Sequence, residues 1–197
     1  MSSALKWMKH VSLDTATYDV FCECVEEVVV DTIYQMAKNP KECQERTEDS
    51  LSLEFVKVLR ALGFGAEFDS KQGGHCDLLV NYGSKYTWIG EAKKYTGYTK
   101  LLKGYLQLTT RYSTGQPNDC RGAVLIYFFV PDTAQRMNEW LRLICAHYAK
   151  NGRRPIKAAP LSMPANSFLT EQPHKRTSLP HLVNHYAIPL HWDPEDK

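Results

Sequence analysis

Asp77, Glu91 and Lys93 are the residues of this chain whose types and spacing could do chemistry together. Asp77 begins the apolar part of GGHCDLLV (73–80), and Glu91 and Lys93 close a second apolar run, WIGEAKK (88–94). Both runs are short, rich in Leu, β-branched or aromatic residues, and set off by glycine, which predicts two strands. Alternate residues of a strand share a face, so Glu91 and Lys93 project together while Ala92 turns away. An acid and a base on one face, beside an Asp from a neighbouring strand, make a compact site for a divalent cation. Carboxylate oxygens suit one or two Mg²⁺ or Mn²⁺ ions, and an ammonium can hold a phosphate or position a water.

The elements that must position these residues are legible around them. Between Thr47 and Leu62, Leu51, Phe55, Val58, Leu59 and Leu62 recur at helical spacing, and Gly63 follows as a helix stop. Glu54 lies at the edge of that stripe and is the candidate third carboxylate, with Glu48 in the first turn as the fallback. Strands are expected at about 64–69, 76–82 and 85–93. A helix over 98–112 has Leu101, Leu102, Tyr105, Leu108 and Tyr112 inward and places Gln107 and Arg111 on one neighbouring face. The continuous run RGAVLIYFFVP (121–131) reads as a strand buried on both faces. A helix from about 133 to 149 is expected to bury Met137, Leu141, Ile144, Cys145 and Tyr148. The predicted fold class is therefore α/β, with a mixed central sheet flanked by helices. Residues 1–46 read as an N-terminal helical extension, its helix at 14–37, residues 47–150 as the core, and 151–197 as an irregular extension with a short strand near 187–191. One domain is expected.

Asp77, thirteen intervening residues and then Glu91-Ala92-Lys93 resembles the signature of the PD-(D/E)xK nucleases. Cys76 stands where the family name has Pro. The resemblance implies an αβββαβ core, in keeping with the order read above from residue 47, and Mg²⁺-dependent hydrolysis of phosphodiester bonds in restriction, repair, recombination or defence against phage. It implies metal ligation by Asp77, Glu91 and a Glu from the preceding helix, matched here to Glu54. Lys93 would act on the attacking water, and Gln107 would line the site. The family's Tyr four residues after that Gln is shifted by one, because Arg111 occupies the position and Tyr112 follows. Small members work as dimers or as subunits, so a homodimer or larger complex belongs to this reading.

Charge supports the same partner. Residues 1–50 carry five Lys or Arg against ten Asp or Glu; the remainder carries 19 against 12. Lys94, Lys100, Lys103 and Arg111 cluster near the proposed site, and Lys150, Arg153, Arg154 and Lys157 form a second group. Such patches suit a nucleic-acid backbone, with DNA read as the substrate ahead of RNA. The alternative is a non-cleaving subunit of the same fold that binds nucleic acid or protein. A small-molecule enzyme or ligand-gated effector is a third reading, and no phosphate loop supports an NTPase. No run approaches a membrane span and no apolar leader opens the chain, so a cytoplasmic protein is expected. The six Cys read as reduced. Cys22-x-Cys24 with His181-x3-His185 is a remote zinc set.

Overall fold

The structure, a computed structural model, describes residues 3–12, 15–152 and 156–196. Helices α1 (Ser3–Ser12), α2 (Tyr18–Lys38) and α3 (Glu48–Ala61) precede the strands, with a 3-10 turn at Pro40–Cys43. Strands β1 (Gly65–Glu67), β2 (Ser70–Lys71), β3 (His75–Cys76), β4 (Leu78–Tyr82) and β5 (Tyr86–Lys94) follow. Then come α4 (Tyr98–Gln107), a π-helical turn (Leu108–Tyr112), β6 (Arg121–Phe128), α5 (Thr133–Lys150), β7 (Lys157–Pro160), β8 (Phe168–Pro173) and β9 (Pro180–Pro189). Among the described residues no helix is long and apolar enough to cross a membrane.

Side-chain caps fix where two of the helices start. Thr17 Oγ1 accepts the Val20 amide and Thr47 Oγ1 accepts the Ser50 amide, each satisfying an amide that lacks an intrahelical partner. α2 thus starts at Tyr18 rather than near 14. Gly63, at φ +85°, ends α3 in the left-handed region that only glycine enters without strain.

Seven strands form one mixed sheet in the order β1-β4-β5-β6-β9-β8-β7. β1, β4 and β5 pair antiparallel, β5–β6 and β6–β9 pair parallel, and β9–β8 and β8–β7 are antiparallel again. The order α3, β1, β4, β5, α4, β6 is the αβββαβ sequence of elements expected from residue 47. The expectation of an irregular C-terminal extension is wrong. Its strands extend the sheet, with β9 lying beside β6 from Arg121–Leu182 to Phe128–Pro189.

Strand periodicity divides the core. Leu78, Val80, Trp88, Ala92, Ala123, Leu125 and Tyr127 face α1, α2 and α3. Leu79, Ile89, Val124, Ile126 and Phe128 face α4 and α5. Trp140 joins Met137, Ile144 and Tyr148 on the buried stripe of α5, whereas Cys145 is exposed, against expectation. All six cysteines carry free thiols.

Candidate active site

The expected strand at 76–82 breaks at Asp77. β3 turns aside to pair with β2, and β4 begins at Leu78 opposite Gly90 of β5. One step further in that register, Asp77 stands opposite Glu91. The Ala92 amide, which a continued strand would have bonded, donates instead to Asp77 Oδ2 at 2.8 Å. The break both orients this carboxylate and satisfies the edge of β5.

Lys93 gathers the cluster. Its Nζ lies 2.7 Å from Glu91 Oε1, 3.0 Å from Asp77 Oδ2 and 3.5 Å from Glu48 Oε1, and donates to the Ala92 carbonyl at 2.6 Å. Glu48, in the first turn of α3, reaches the C-terminal end of β5. Its Oε2 accepts the Lys94 amide at 2.6 Å and pairs with Lys100 at 3.1 Å. Burial alone would raise Glu48, but the Lys94 amide and the Lys93 and Lys100 ammoniums outweigh it and hold the group below the usual carboxylate value.

Glu91 is 2% exposed, and its Oε2 has no hydrogen-bond partner among the described residues. Burial, then the charge of Asp77, pushes it up to about 7 against the pull of Lys93. Burial would lower the Lys93 ammonium, yet Glu91 and Asp77 hold it above the usual lysine value. Both directions follow from several carboxylates sharing one ammonium.

Gly104 of α4 lies against this pair. A Cβ there would come within 3.2 Å of Glu91 Cγ and of Lys93 Cε and Cγ. The absent side chain lets α4 close over the acid and the base. Sequence reasoning missed this residue, since a lone helical glycine carries no chemical signal.

The candidate residues do not all converge. Glu54 pairs with Arg46 at 3.2 Å and Lys57 at 3.8 Å and lines a separate cavity of about 430 Å³ beside α2. Six residues at 100° each place it about 120° around the helix from Glu48, and Glu48 is the carboxylate brought to the cluster. Gln107 Nε2 donates to the Tyr112 hydroxyl at 3.1 Å. Tyr112 is buried, as expected, and its burial with the Glu91 charge pushes the phenol up to about 12. Lys94 turns away from the cluster: its ammonium donates to the Arg46 carbonyl and lies over the Phe129 ring. Lys100, Lys103 and Arg111 are exposed. Arg153 and Arg154 lie outside the described residues. Lys157 of β7 pairs with Glu171 of β8, and β7 is separated from β5 by β6, β9 and β8, so Lys157 does not extend the cluster's basic surface.

The zinc set is not assembled. His185 is buried between Trp140 Nε1 at 3.1 Å and Thr170 Oγ1 at 3.0 Å, while Cys22 and Cys24 lie in the other core. Among the described residues no group of three or more His, Cys, Asp or Glu side chains is arranged to hold a metal ion. At the cluster the carboxylates surround an ammonium instead. Four hard oxygens lie within 3.5 Å of the Lys93 nitrogen, one of them on a carboxylate with an unpartnered second oxygen; they are of the donor type that Mg²⁺ or Mn²⁺ takes, with the ammonium in the position between them. Comparison of the chain with protein-family models, curated proteins and solved structures returns no significant match.

Proposed function

We propose that this chain is a divalent-metal-dependent nuclease that hydrolyses phosphodiester bonds of DNA. The observation that carries the reading is the convergence of Glu48, Asp77, Glu91 and the Ala92 carbonyl on Lys93 at the end of β5. Three carboxylates exceed what the Lys93 ammonium and the more exposed Lys100 neutralise, so the cluster attracts further positive charge. Asp77, Glu91, Glu48 and the Ala92 carbonyl would hold Mg²⁺ or Mn²⁺, which when bound polarises a phosphate oxygen and lowers the pKa of water. The Ala92 and Lys94 amides fix Asp77 and Glu48 in advance of substrate. Lys93 Nζ, released from part of its carboxylate contacts, is placed to hold a phosphate oxygen or orient the attacking water. α4, closing at Gly104, limits water at Glu91. Exposed Lys100, Lys103 and Arg111 supply a basic approach for the backbone.

The test is incubation of the protein with linear and circular, single- and double-stranded DNA and with RNA, in Mg²⁺, Mn²⁺ or EDTA. Cleavage of DNA that needs the metal is the expected result. Retention of DNA with no cleavage under any condition would overturn the reading in favour of a binding subunit.

A further inference from the structure

The strand face that carries Glu91 and Lys93 runs on into a second group of side chains. Tyr95 continues their alternate-residue row, about 7 Å of chain beyond Lys93. It stays in the parallel ladder, its amide donating to the Tyr127 carbonyl at 2.9 Å. Its ring lies 5.1 Å from that of Phe128, which faces α4 and α5, and 5.4 Å from that of Tyr98 in the first turn of α4. Tyr95, Tyr98, Gln135, Arg136, Glu139 and Arg142 are among the residues that line an open cavity of about 610 Å³ there. The cavity therefore begins one side chain beyond Lys93 on the same face of β5.

Arg136 is held ready in this cavity. Its guanidinium carbon lies 5.0 Å from the centroid of the Tyr95 ring, so the fork stacks over the ring. Nε donates to the Pro131 carbonyl at 2.9 Å and Nη1 to the Tyr95 hydroxyl at 3.2 Å. These contacts fix the plane of the guanidinium while using two of the five donors that such a group carries. Arg136 is partly exposed, and none of its nitrogens is among the buried atoms without a partner, so its remaining donors are open to solvent. Arg142 is spent elsewhere: its Nε and Nη2 donate to the two Glu139 oxygens at 2.7 and 2.6 Å. That pair cancels, and the cavity keeps the charge of Arg136. A fixed, planar, cationic fork with open donors suits an anionic phosphate rather than a neutral ligand. Its place on the row of Glu91 and Lys93 makes the backbone of a strand bound at the cluster the source of that phosphate.

We infer, resting on the nuclease reading, that Arg136 clamps the backbone phosphate next to the one cut at the cluster, with Tyr95 as the residue that positions the clamp. The strand then leaves the site along the row Glu91, Lys93, Tyr95 toward α5, and not toward Lys157 on β7. A substrate without a phosphate on that side of the cut lacks this contact.

The experiment maps the cut on a duplex oligonucleotide in Mg²⁺ and then measures binding of the full chain to it in EDTA. In a parallel series, single phosphates are replaced by uncharged methylphosphonate linkages. Arg136→Met should weaken binding about tenfold and flatten the log–log salt slope by about 0.9, one phosphate contact. Arg136→Lys should restore the slope but not the affinity, because an ammonium has no fork. Tyr95→Phe keeps the ring and every charge, and should weaken binding about threefold at unchanged slope. One neutral linkage, adjacent to the mapped cut, should cost the wild type as much as Arg136→Met does, and the two changes together should cost no more than either alone. Lys157→Met, which removes the same charge on β7, should stay within about twofold of wild type. Melting curves check each variant, and Arg136→Lys with Tyr95→Phe carry the test if Arg136→Met does not fold. Cleavage with no coupling between Arg136 and any one linkage, or an equal loss in Lys157→Met, would overturn the clamp and leave the nuclease reading standing. Coupling to one linkage in a chain that cuts nothing would keep Arg136 as a phosphate contact and overturn the nuclease reading instead.

Discussion

Lys93 Nζ sits 2.7 Å from Glu91 Oε1 and 3.0 Å from Asp77 Oδ2, so the acid two residues before it and the acid across the strand pair share one ammonium. This relationship follows from two features of the chain. Period-two alternation puts Glu91 and Lys93 on the α4 side of β5. The break at Asp77 then turns a third polar side chain onto the same spot. Like charges facing each other across strands repel, so Asp77 and Glu91 are tolerable together only because Lys93, or another cation, lies between them.

The third carboxylate is separable by mutation. Glu48→Gln should lower metal-dependent cleavage at least tenfold, about 1.4 kcal/mol of transition-state stabilisation, because it removes the anionic oxygen that the proposed mechanism gives to the metal and leaves a neutral, weaker acceptor for the Lys94 amide. Glu54→Ala breaks only partly exposed pairs with Arg46 and Lys57. It should leave cleavage within twofold of wild type and change stability by less than about 1 kcal/mol. Initial rates on one DNA substrate, with melting curves for both variants, decide the assignment. Loss of activity in Glu54→Ala with a normal Glu48→Gln would reverse it.

Removing the ammonium should separate metal binding from catalysis. Lys93→Met keeps the aliphatic bulk but leaves the carboxylates facing one another. Unpairing buried charges in this way costs about 3–5 kcal/mol without added cation. Mg²⁺ or Mn²⁺ then relieves repulsion without competing with Lys93 for the same oxygens. The variant's melting temperature should therefore rise more steeply with metal than that of the wild type, by linkage, while cleavage is lost. Calorimetry with and without metal checks this. Equal metal response in the two proteins would mean that Lys93 does not occupy the cation position.

Asp77, Glu91 and Lys93 were legible because strand period and glycine punctuation are local signals. The choice between Glu48 and Glu54 was not. Closeness to the apolar stripe of α3 favoured Glu54, whereas reaching the site depends on where the first turn of α3 meets the end of β5, which is a tertiary fact. β9 was hidden for a related reason. Pro180, His181, Asn184 and His185 interrupt its apolar pattern, and Asn184 and His185 are tolerated in the interior because Tyr186, Trp140 and Thr170 pair with them. The extent of the sheet thus depended on partners far away in sequence.

Gly104 offers a test of function separated from stability. Helix propensity alone makes Gly104→Ala favourable by about 0.5–1 kcal/mol. Its new methyl would, however, stand 3.2 Å from Glu91 Cγ and from Lys93 Cε and Cγ, so the site must give by a few tenths of an ångström. These effects oppose, and net stability should stay within about 1 kcal/mol of wild type. Under the proposed mechanism cleavage should fall tenfold or more, because the displaced groups are the ones it assigns to the metal and the attacking water. Chemical denaturation and turnover measured on the same preparation decide it. Unchanged turnover in a stable variant would remove Gly104 from the site.

The pH dependence of metal-free stability isolates Glu91. Its folded pKa, about 7, lies above the ordinary glutamate value of 4.5. A raised carboxylate stabilises the fold fully below the unfolded pKa, and that contribution is lost as pH rises through the folded one. From this residue alone, stability should therefore decline between about pH 4.5 and 7, by at most about 1.4 kcal/mol per pH unit. His174, His181 and His185 are held below 6.5 by burial, and their contribution is lost as pH falls below that value, the opposite slope in the same window. The wild-type curve alone is thus ambiguous, and the difference from Glu91→Gln is the measurement. Glu91→Gln cannot ionise, so its stability should exceed that of the wild type by an increment that grows from pH 5 to 8. Metal affinity should run the other way in the wild type, weakening as pH falls through 7 because the proton competes for the carboxylate, and in Glu91→Gln it should be weak at every pH. A difference curve flat between pH 5 and 8 would show that Glu91 ionises as an ordinary carboxyl and would remove it as the source of the pH dependence.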